Sequence, residues 1–414
     1  MAPMLRMKLL SLFVLVLSSI LPWNATAISQ EKIATRLFSK NYSGNLIESM
    51  LAQTLLEIKQ GKVNDALETV NQLIATTPNF KLAYLIRGDL LSSRARMLTS
   101  FGDAGVKDES KVQDLKDEAQ TRLESYLDKR KDRLYPNLLI QLDETQQYVI
   151  VVDTSKSRLY LYAKNQNNQL KYMSDYYVTI GKNGVDKKTQ GDKRTPIGVY
   201  FASTKLNKPL PDMYGGAAYP LSYPNEIDSY EKRNGSGIWL HGTPTDTYSR
   251  PPRASDGCIV LSNPDIKALQ PILDRGNTPV LIVNKIDWVE AGTPDELQAD
   301  EKQALSHAIE QWRKDWVSQD TNQYLSHYSK QFFYSDGGLG QWADYKRHIQ
   351  ASKPRVSVNL SNISMFSYPN AEQSMVVVNF EQYFKSTSLE NKMKKRQYWV
   401  NENNQWRIIY EGAV

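Results

Sequence analysis

The spacing of apolar residues changes twice along the chain and divides it into three parts. From residue 28 to about 140 apolar positions recur at helical intervals. Leu51, Leu55, Leu56 and Ile58 share one face, and Gly61 marks a stop. Lys107 to Lys131 is charge-rich, with Leu115, Ala119, Leu123 and Tyr126 at helical spacing, and predicts a solvated amphipathic helix. Near residue 145 the period drops to two. Tyr148–Val152 and Arg158–Tyr162 read as a hairpin turned at Ser155–Ser157, and Tyr176–Ile180 as a further strand. Ile197–Phe201, Ile238–Leu240 and Pro279–Val283 follow as apolar strands, which predicts a mainly β unit.

The last part opens with Thr293-Pro294-Asp295-Glu296, a capping signature, and a helix running through Trp316. Strands are expected at Val356–Val358, Met375–Phe384, Gln397–Val400 and Gln405–Tyr410, an α+β pattern. Trp312, Trp316 and Trp342 are expected to pack in its core. The basic run Lys392-x-Lys394-Lys395-Arg396 reads as an exposed hairpin. In the helical part, Ala66, Val70 and Pro78 resemble in spacing the second half of a tetratricopeptide-type helix pair, with Gly88 in the next repeat's glycine position. A plain helical bundle accounts for the same residues.

The first residues read as an export signal. Arg6 and Lys8 precede an apolar run, Leu9–Leu21, that Pro22 breaks, and Ala25-Thr26-Ala27 fits a cleavage site. The run is short of the roughly 20 residues that span a bilayer, so cleavage is expected, with no stable membrane span afterwards. No cysteine stands directly after it, so a lipid-anchored lipoprotein is not expected. The expected limits are 1–27 for the signal, 28–144 for the helical part, 145–287 for the β part and 288–414 for the last domain. A periplasmic location follows, and a homodimer through the helical part is an expectation.

Composition adds little. The chain has 414 residues and a formal net charge of +6, with basic residues spread along its length, so nucleic-acid binding is not expected. A mild positive balance suits an anionic wall polymer, among other partners. No spaced cluster of His, Cys and carboxylates suggests a metal, and no cofactor is expected.

The candidate chemistry rests on Cys258, the only cysteine in the chain. It cannot form an intrachain disulfide, so it is an intermolecular bridge, an inert buried side chain or a working thiol. A thiol needs a base to become a nucleophile near neutral pH, and imidazole is the usual one. His241 ends a strand, and the other three histidines (His307, His327 and His348) come later. A loop with three prolines, Thr243–Ala254, returns to Ser255-Asp256-Gly257-Cys258, and Ser262-Asn263-Pro264-Asp265 starts a helix. Gly257 allows positive φ or amide groups turned toward a substrate oxygen.

His241-Gly242, a spacer and Ser255-x-Gly257-Cys258 resemble the catalytic domain of the L,D-transpeptidases, the YkuD-type fold, as does Thr195-Pro196-x-Gly198 before an aromatic strand. The resemblance spans about residues 146–286. It implies that Cys258 is the nucleophile and His241 its general base. It also implies that the Gly242 carbonyl orients the imidazole, and that backbone N–H groups of Gly257 and Cys258 form an oxyanion hole. Two positions depart from the commoner pattern: Asp256 stands where a histidine is usual, and Val260 where an arginine often occurs. The whole layout resembles the L,D-carboxypeptidases that trim wall tetrapeptides: helical N-terminal part, mainly β catalytic domain, α+β NTF2-like C-terminal domain. The last rests on Ala308-Ile309-x-x-Trp312, Phe380-x-x-Tyr383 and Trp406-x-Ile408.

The resemblance implies attack by the thiolate on peptidoglycan stem tetrapeptides, release of D-alanine and a thioester resolved by an amine or by water. A scaffold that binds the wall without catalysis is the reading from another class. Tyr219 is expected to line the substrate groove, or to pack on the sheet as part of a rigid loop. Arg250 and Arg253 are expected to bind a stem-peptide carboxylate, or to be solvated loop charges. Ser255 and Asp256 complete the expected substrate-binding set, with Ser255 expected to hydrogen-bond near Cys258 or to cap the turn.

Overall fold

The structure, a computed structural model, describes residues 43–98, 100–103, 108–128, 134–165, 169–290, 296–352 and 355–414. The expected signal segment and most of the Thr293–Glu296 cap lie outside the described residues. No described helix is long and apolar enough to cross a membrane.

The N-terminal part consists of helices α1 (Ser43–Lys59), α2 (Val63–Thr76), α3 (Lys81–Ser92) and α4 (Glu109–Leu127). Gly61, at φ +73°, turns α1 into α2. Ala66, Val70 and Leu73 of α2 are fully buried, while Ile58, expected on the apolar face, is exposed. The charge-rich helix forms, but its inward face is polar: Glu118, Arg122 and Ser125 are buried beside Ala119, and Tyr126 is exposed. Most of its charges are exposed as expected, and Glu118 and Arg122 are the exceptions. Two further basic or acidic partners, Arg158 and Glu48, make burial tolerable by pairing.

Strands β1 (Leu134–Pro136) and β2 (Leu139–Gln141) lead into the central domain. Its main sheet contains β3 (Tyr148–Asp153), β4 (Arg158–Lys164) and β5 (Leu170–Tyr177). After the short β6 (Ile180–Gly181) come β7 (Gly198–Ala202), β8 (Ala218–Pro220), helix α5 (Glu226–Tyr230) and β9 (Trp239–His241). Then follow β10 (Arg253–Ser255), β11 (Ile259–Val260), helix α6 (Asn263–Leu273), β12 (Thr278–Val283) and β13 (Trp288–Glu290). The five-stranded sheet has the order β5-β4-β3-β12-β7. Apart from the edge strand β5, its strands are buried on both faces, as expected for a sheet covered on both sides. Ile150, Val152, Leu159, Leu161, Val280 and Ile282 face a core shared with β9, β11 and α6. Val149, Val151, Tyr160, Val199, Leu281 and Val283 face the opposite way, against the C-terminal domain.

That domain comprises α7 (Glu296–Ser318), α8 (Thr321–Ser326), β14 (Tyr328–Tyr334), β15 (Gly337–Gly338) and α9 (Leu339–Ser352), then β16 (Val356–Ser367), β17 (Met375–Ser386), β18 (Glu390–Glu402) and β19 (Gln405–Ala413). Its sheet runs β15-β14-β19-β18-β17-β16-β2, so β2, from before the central domain, closes one edge. β1 pairs with β13 and ties the entry and exit of the central domain together. One face of the large sheet packs on the central sheet through Phe366, Val377, Tyr398 and Val400. The other holds Trp312, Trp316, Trp342 and Trp399 under the helices, in agreement with the expected core. The basic run is on the β17–β18 hairpin, with Lys392 and Lys394 exposed as expected but Lys395 and Arg396 buried. It lies within β18, where Lys395 pairs with Glu411 and Arg396 with Glu226.

Candidate active site

Cys258 and His241 are delivered by neighbouring strands. β9 and β11 run parallel, with Leu240 opposite Ile259 and His241 opposite Val260. Carried back one residue, that register sets Cys258 beside Trp239. Side chains alternate along a strand, so Cys258 and His241 project to one face. Leu240 and Ile259, fully buried, point to the other and anchor both strands in the core. Diagonal neighbours on a sheet face lie on the order of 7–8 Å apart, within reach of an imidazole.

The imidazole is buried at 3% exposure, and Nδ1 lies 2.7 Å from the carbonyl oxygen of Gly242. A carbonyl only accepts, so Nδ1 carries the hydrogen and Nε2 keeps a lone pair. Burial pulls the His241 pKa down to about 4, opposed by the Gly242 hydrogen bond and reinforced by the charge of Arg250. Cys258 is half-exposed, and its Sγ donates to the Gly237 carbonyl at 3.2 Å. Burial of the sulfur pushes its pKa up to about 11. The backbone N–H of Trp239 opposes that rise, Asp256 adds to it, and Arg250 and Lys187 lower it. The resting pair is therefore a neutral thiol and a neutral imidazole, with no hydrogen bond between them among the described residues.

The turn before the thiol is cross-braced. Ser255 Oγ donates to the Cys258 carbonyl at 2.6 Å and accepts from Gly257 N–H at 3.1 Å. Gly257 has φ +121°, and a Cβ there would lie 2.7 Å from the Arg194 carbonyl oxygen. Thr195, fully buried, bridges the two sides: its Oγ1 accepts from Gly181 N–H at 2.9 Å and donates to the Gly257 carbonyl at 3.0 Å. The Gly257 N–H is thus engaged by Ser255 rather than turned toward an incoming oxygen.

Three of the expected substrate-binding residues are placed otherwise. Tyr219 is fully buried in the central core, and its hydroxyl donates to Asp274 at 2.8 Å, so it does not line a groove. Strand alternation explains this: Tyr219 pairs with Leu240, on the face opposite His241. Ser255 is buried and belongs to the turn. Arg253 is exposed on β10 and lines a groove with Asp114, Asp117 and Glu124 of α4, on the helical side. Asp256 is 79% exposed and lies 3.8 Å from Lys193. Arg250 is the one of this set whose charge acts on both His241 and Cys258.

Residues 147–282 match the model of the L,D-transpeptidase catalytic domain (YkuD), and residues 304–412 that of the Cds6 C-terminal NTF2-like domain. The central domain belongs to the L,D-transpeptidase family. Bd1075 of Bdellovibrio bacteriovorus is 29% identical, with a TM-score of 0.57 over 68% of this chain and 98% of that one. The helical cell shape determining protein Pgp2 of Campylobacter jejuni shares the fold at 24% identity, with a TM-score of 0.57 over 70% of this chain and 97% of its own. No curated protein sequence matches at a significant level.

Two neighbours of the site in this L,D-transpeptidase domain escaped the sequence reading. Tyr214 packs edge-on against the imidazole at 5.1 Å and tilts over Trp239 at 4.8 Å. It comes from a short 3-10 turn (Asp212–Tyr214) distant in sequence, and nothing local marks it. Asn263 accepts from Gly216 N–H at 3.0 Å and donates to the Thr243 carbonyl at 2.8 Å. Its Oδ1 fills the space that a Cβ on Gly242 or Gly215 would need. The glycine after His241 is therefore a packing requirement, and that pairing of Gly with Asn was the available signal. Among the described residues no cluster of three or more His, Cys, Asp or Glu could hold a metal.

Proposed function

We propose that the chain is an exported cysteine enzyme of peptidoglycan remodelling, acting on stem tetrapeptides through a thioester on Cys258. The observation that carries this reading is the His241 imidazole, held by Gly242 with its free Nε2 on the face that presents the thiol. In the first half-reaction Nε2 takes the thiol proton as sulfur attacks the carbonyl between the diamino acid and terminal D-alanine. The S–C bond forms, the C–N bond breaks, and His241 returns the proton to the leaving amine. Cys258 N–H is the proposed oxyanion donor, a role typically worth about 3 kcal/mol. Gly257 serves chiefly by its positive φ. Arg250 is the proposed partner of a substrate carboxylate, and Asp256 flanks the incoming acceptor.

The acyl group then passes to an amine, which is transpeptidation, or to water, which is carboxypeptidase trimming to tripeptides. Asp256 in place of the usual histidine favours trimming as the second reading, since one imidazole alone then serves both half-reactions. The proposed setting is the periplasm, with the N-terminal segment as its export signal. The homodimer remains a proposal about the helical part, tested by light scattering.

Mature protein is incubated with tetrapeptide muropeptides and the products are weighed. Cross-linked dimers indicate transfer and tripeptides alone indicate trimming; unchanged substrate removes the enzymatic reading in favour of a scaffold. Cys258→Ser and His241→Ala are each expected to lower turnover at least about a thousandfold with the fold intact, and activity retained in either rules out the mechanism.

A further inference from the structure

The middle of the loop between the two reacting residues, Thr245–Ser249, is held by the N-terminal helices as well as by its own domain. Tyr248, midway along it, is 4% exposed and packs in the helical core with its ring 4.8 Å from Phe80. Its N–H donates to the Asn79 carbonyl at 3.1 Å, and the Asn79 amide donates to the Thr245 carbonyl at 3.1 Å. Ser249 Oγ donates to Glu118 of α4 at 2.6 Å. Under this contact lies a buried charge cluster. Arg122 pairs with Glu118 and Glu48 and sits 3.8 Å from the Tyr177 ring and 5.9 Å from that of Tyr248.

The central domain holds the next residue. The Arg250 carbonyl accepts from Tyr177 OH at 2.9 Å and from Thr179 Oγ1 at 3.0 Å. Among the described residues the Arg250 hydrogen bonds run through its carbonyl, and its guanidinium has no carboxylate or hydrogen-bond partner. Between Gly242 and Pro252 the loop forms no helix or strand, so contacts from outside that stretch fix its course. A buried Arg–Glu cluster costs desolvation and is tolerated where its geometry is tightly determined.

We propose that the N-terminal helices are a positioning element of the active site: through Asn79, Phe80, Glu118 and Arg122 they hold Tyr248 and Ser249, and so fix the backbone of the loop that carries Arg250 between His241 and Cys258. This rests on the reading of Cys258 and His241 as the reacting pair. Tyr248, Ser249 and Asn79 are positioning residues, and they act through Arg250. The charge that Arg250 lends the site then stands in for the arginine absent at Val260, which is buried and apolar.

The test uses alkylation of Cys258 in the full chain by iodoacetamide, which needs no peptide substrate. The groups whose charge reaches the thiol are Asp256, Arg250 and Lys187, with His241 across the strand pair. Arg250→Gln is expected to slow alkylation at pH 8 about threefold to tenfold by raising the thiol pKa. Tyr248→Leu should reproduce most of that loss, and Asn79→Ala and Ser249→Ala about a twofold part each. In the Arg250→Gln background the Tyr248 change should have no further effect. Losses that multiply, or clamp variants that alkylate at the wild-type rate with wild-type melting, overturn the proposal. If Tyr248→Leu does not fold, the Asn79 and Ser249 variants decide alone. Muropeptide turnover is measured alongside: inert wild-type protein with an intact alkylation cycle removes the proposed function and leaves the positioning inference standing.

Discussion

At the scale of the residue, the site works against ionisation. Burial opposes charge on both partners, so His241 titrates near 4 and Cys258 near 11, and no thiolate–imidazolium pair rests in the unliganded protein. Proton transfer must then accompany the attack on the carbonyl. Two pH profiles check this. The alkylation rate should keep rising with pH toward about 11, and kcat/KM should fall on the acid side only near 4, where the imidazole acquires its proton. A thiolate plateau reaching down to pH 5 would contradict the neutral pair. The two reacting residues were legible in the sequence because a lone cysteine and a strand-end histidine carry their chemistry in their identity. Ser255 hydrogen-bonds Cys258 within the turn, as one of its expected readings had it, while the groove reading of Tyr219 fails because the facing of a side chain depends on register, and register on partners 20 or more residues away. Tyr214 and Asn263 are the converse: ordinary residues that acquire a role only from the strand end they touch.

At the scale of the element, the apolar strands were readable because burial on both faces leaves near-continuous runs such as Val149–Val152 and Val280–Val283. The polar sides of elements were not. The inward face of α4 and the basic half of β18 both read as solvated, since a sequence shows the charge but not the counter-charge that comes from another domain. The same logic applies to Thr195, whose hydroxyl joins the end of β6 to the turn before Cys258. Its threonine-proline motif signalled the family, yet the reason lies in two backbone groups that have no strand ladder to join. Thr195→Val keeps the shape and removes both hydrogen bonds. Each buried group left unpaired costs about 1–3 kcal/mol, so a stability loss of about 2–6 kcal/mol is expected together with at least a tenfold drop in kcat. Thr195→Ser should restore most of both. Denaturant titration and kinetics on the pair check this, and a valine variant with wild-type stability would show that the bridge is incidental.

At the scale of the whole molecule, the central sheet is shared. Its even-numbered β3 and β12 residues build the core beneath the site, and its odd-numbered ones bind the C-terminal sheet, so neither domain completes its core alone. The junction is stitched at α5, where Glu226 receives Arg396 at 3.1 Å and the hydroxyl of Tyr398 at 2.8 Å, and Asn225 donates to Tyr368 at 3.1 Å. In the same helix Asp228 is fully buried, accepting from Tyr200 OH and Asn225 N–H at 3.0 Å each, with Arg233 at 3.6 Å. Desolvation outweighs these partners and raises its pKa from 3.8 to about 6. A carboxyl with a raised folded-state pKa contributes its stability below the unfolded value and loses it as pH climbs through the folded one. Here that window runs from 3.8 to about 6, and the shift corresponds to about 3 kcal/mol. Asp228→Asn keeps the shape without the charge. It should match wild type in denaturant titrations at pH 4 and exceed it by about 1–3 kcal/mol at pH 7.5, the range allowing for an imperfect amide in the helix cap. Equal stability at both values would mean that Arg233 already neutralises the charge, and that the junction between the two sheets carries no pH dependence from this residue.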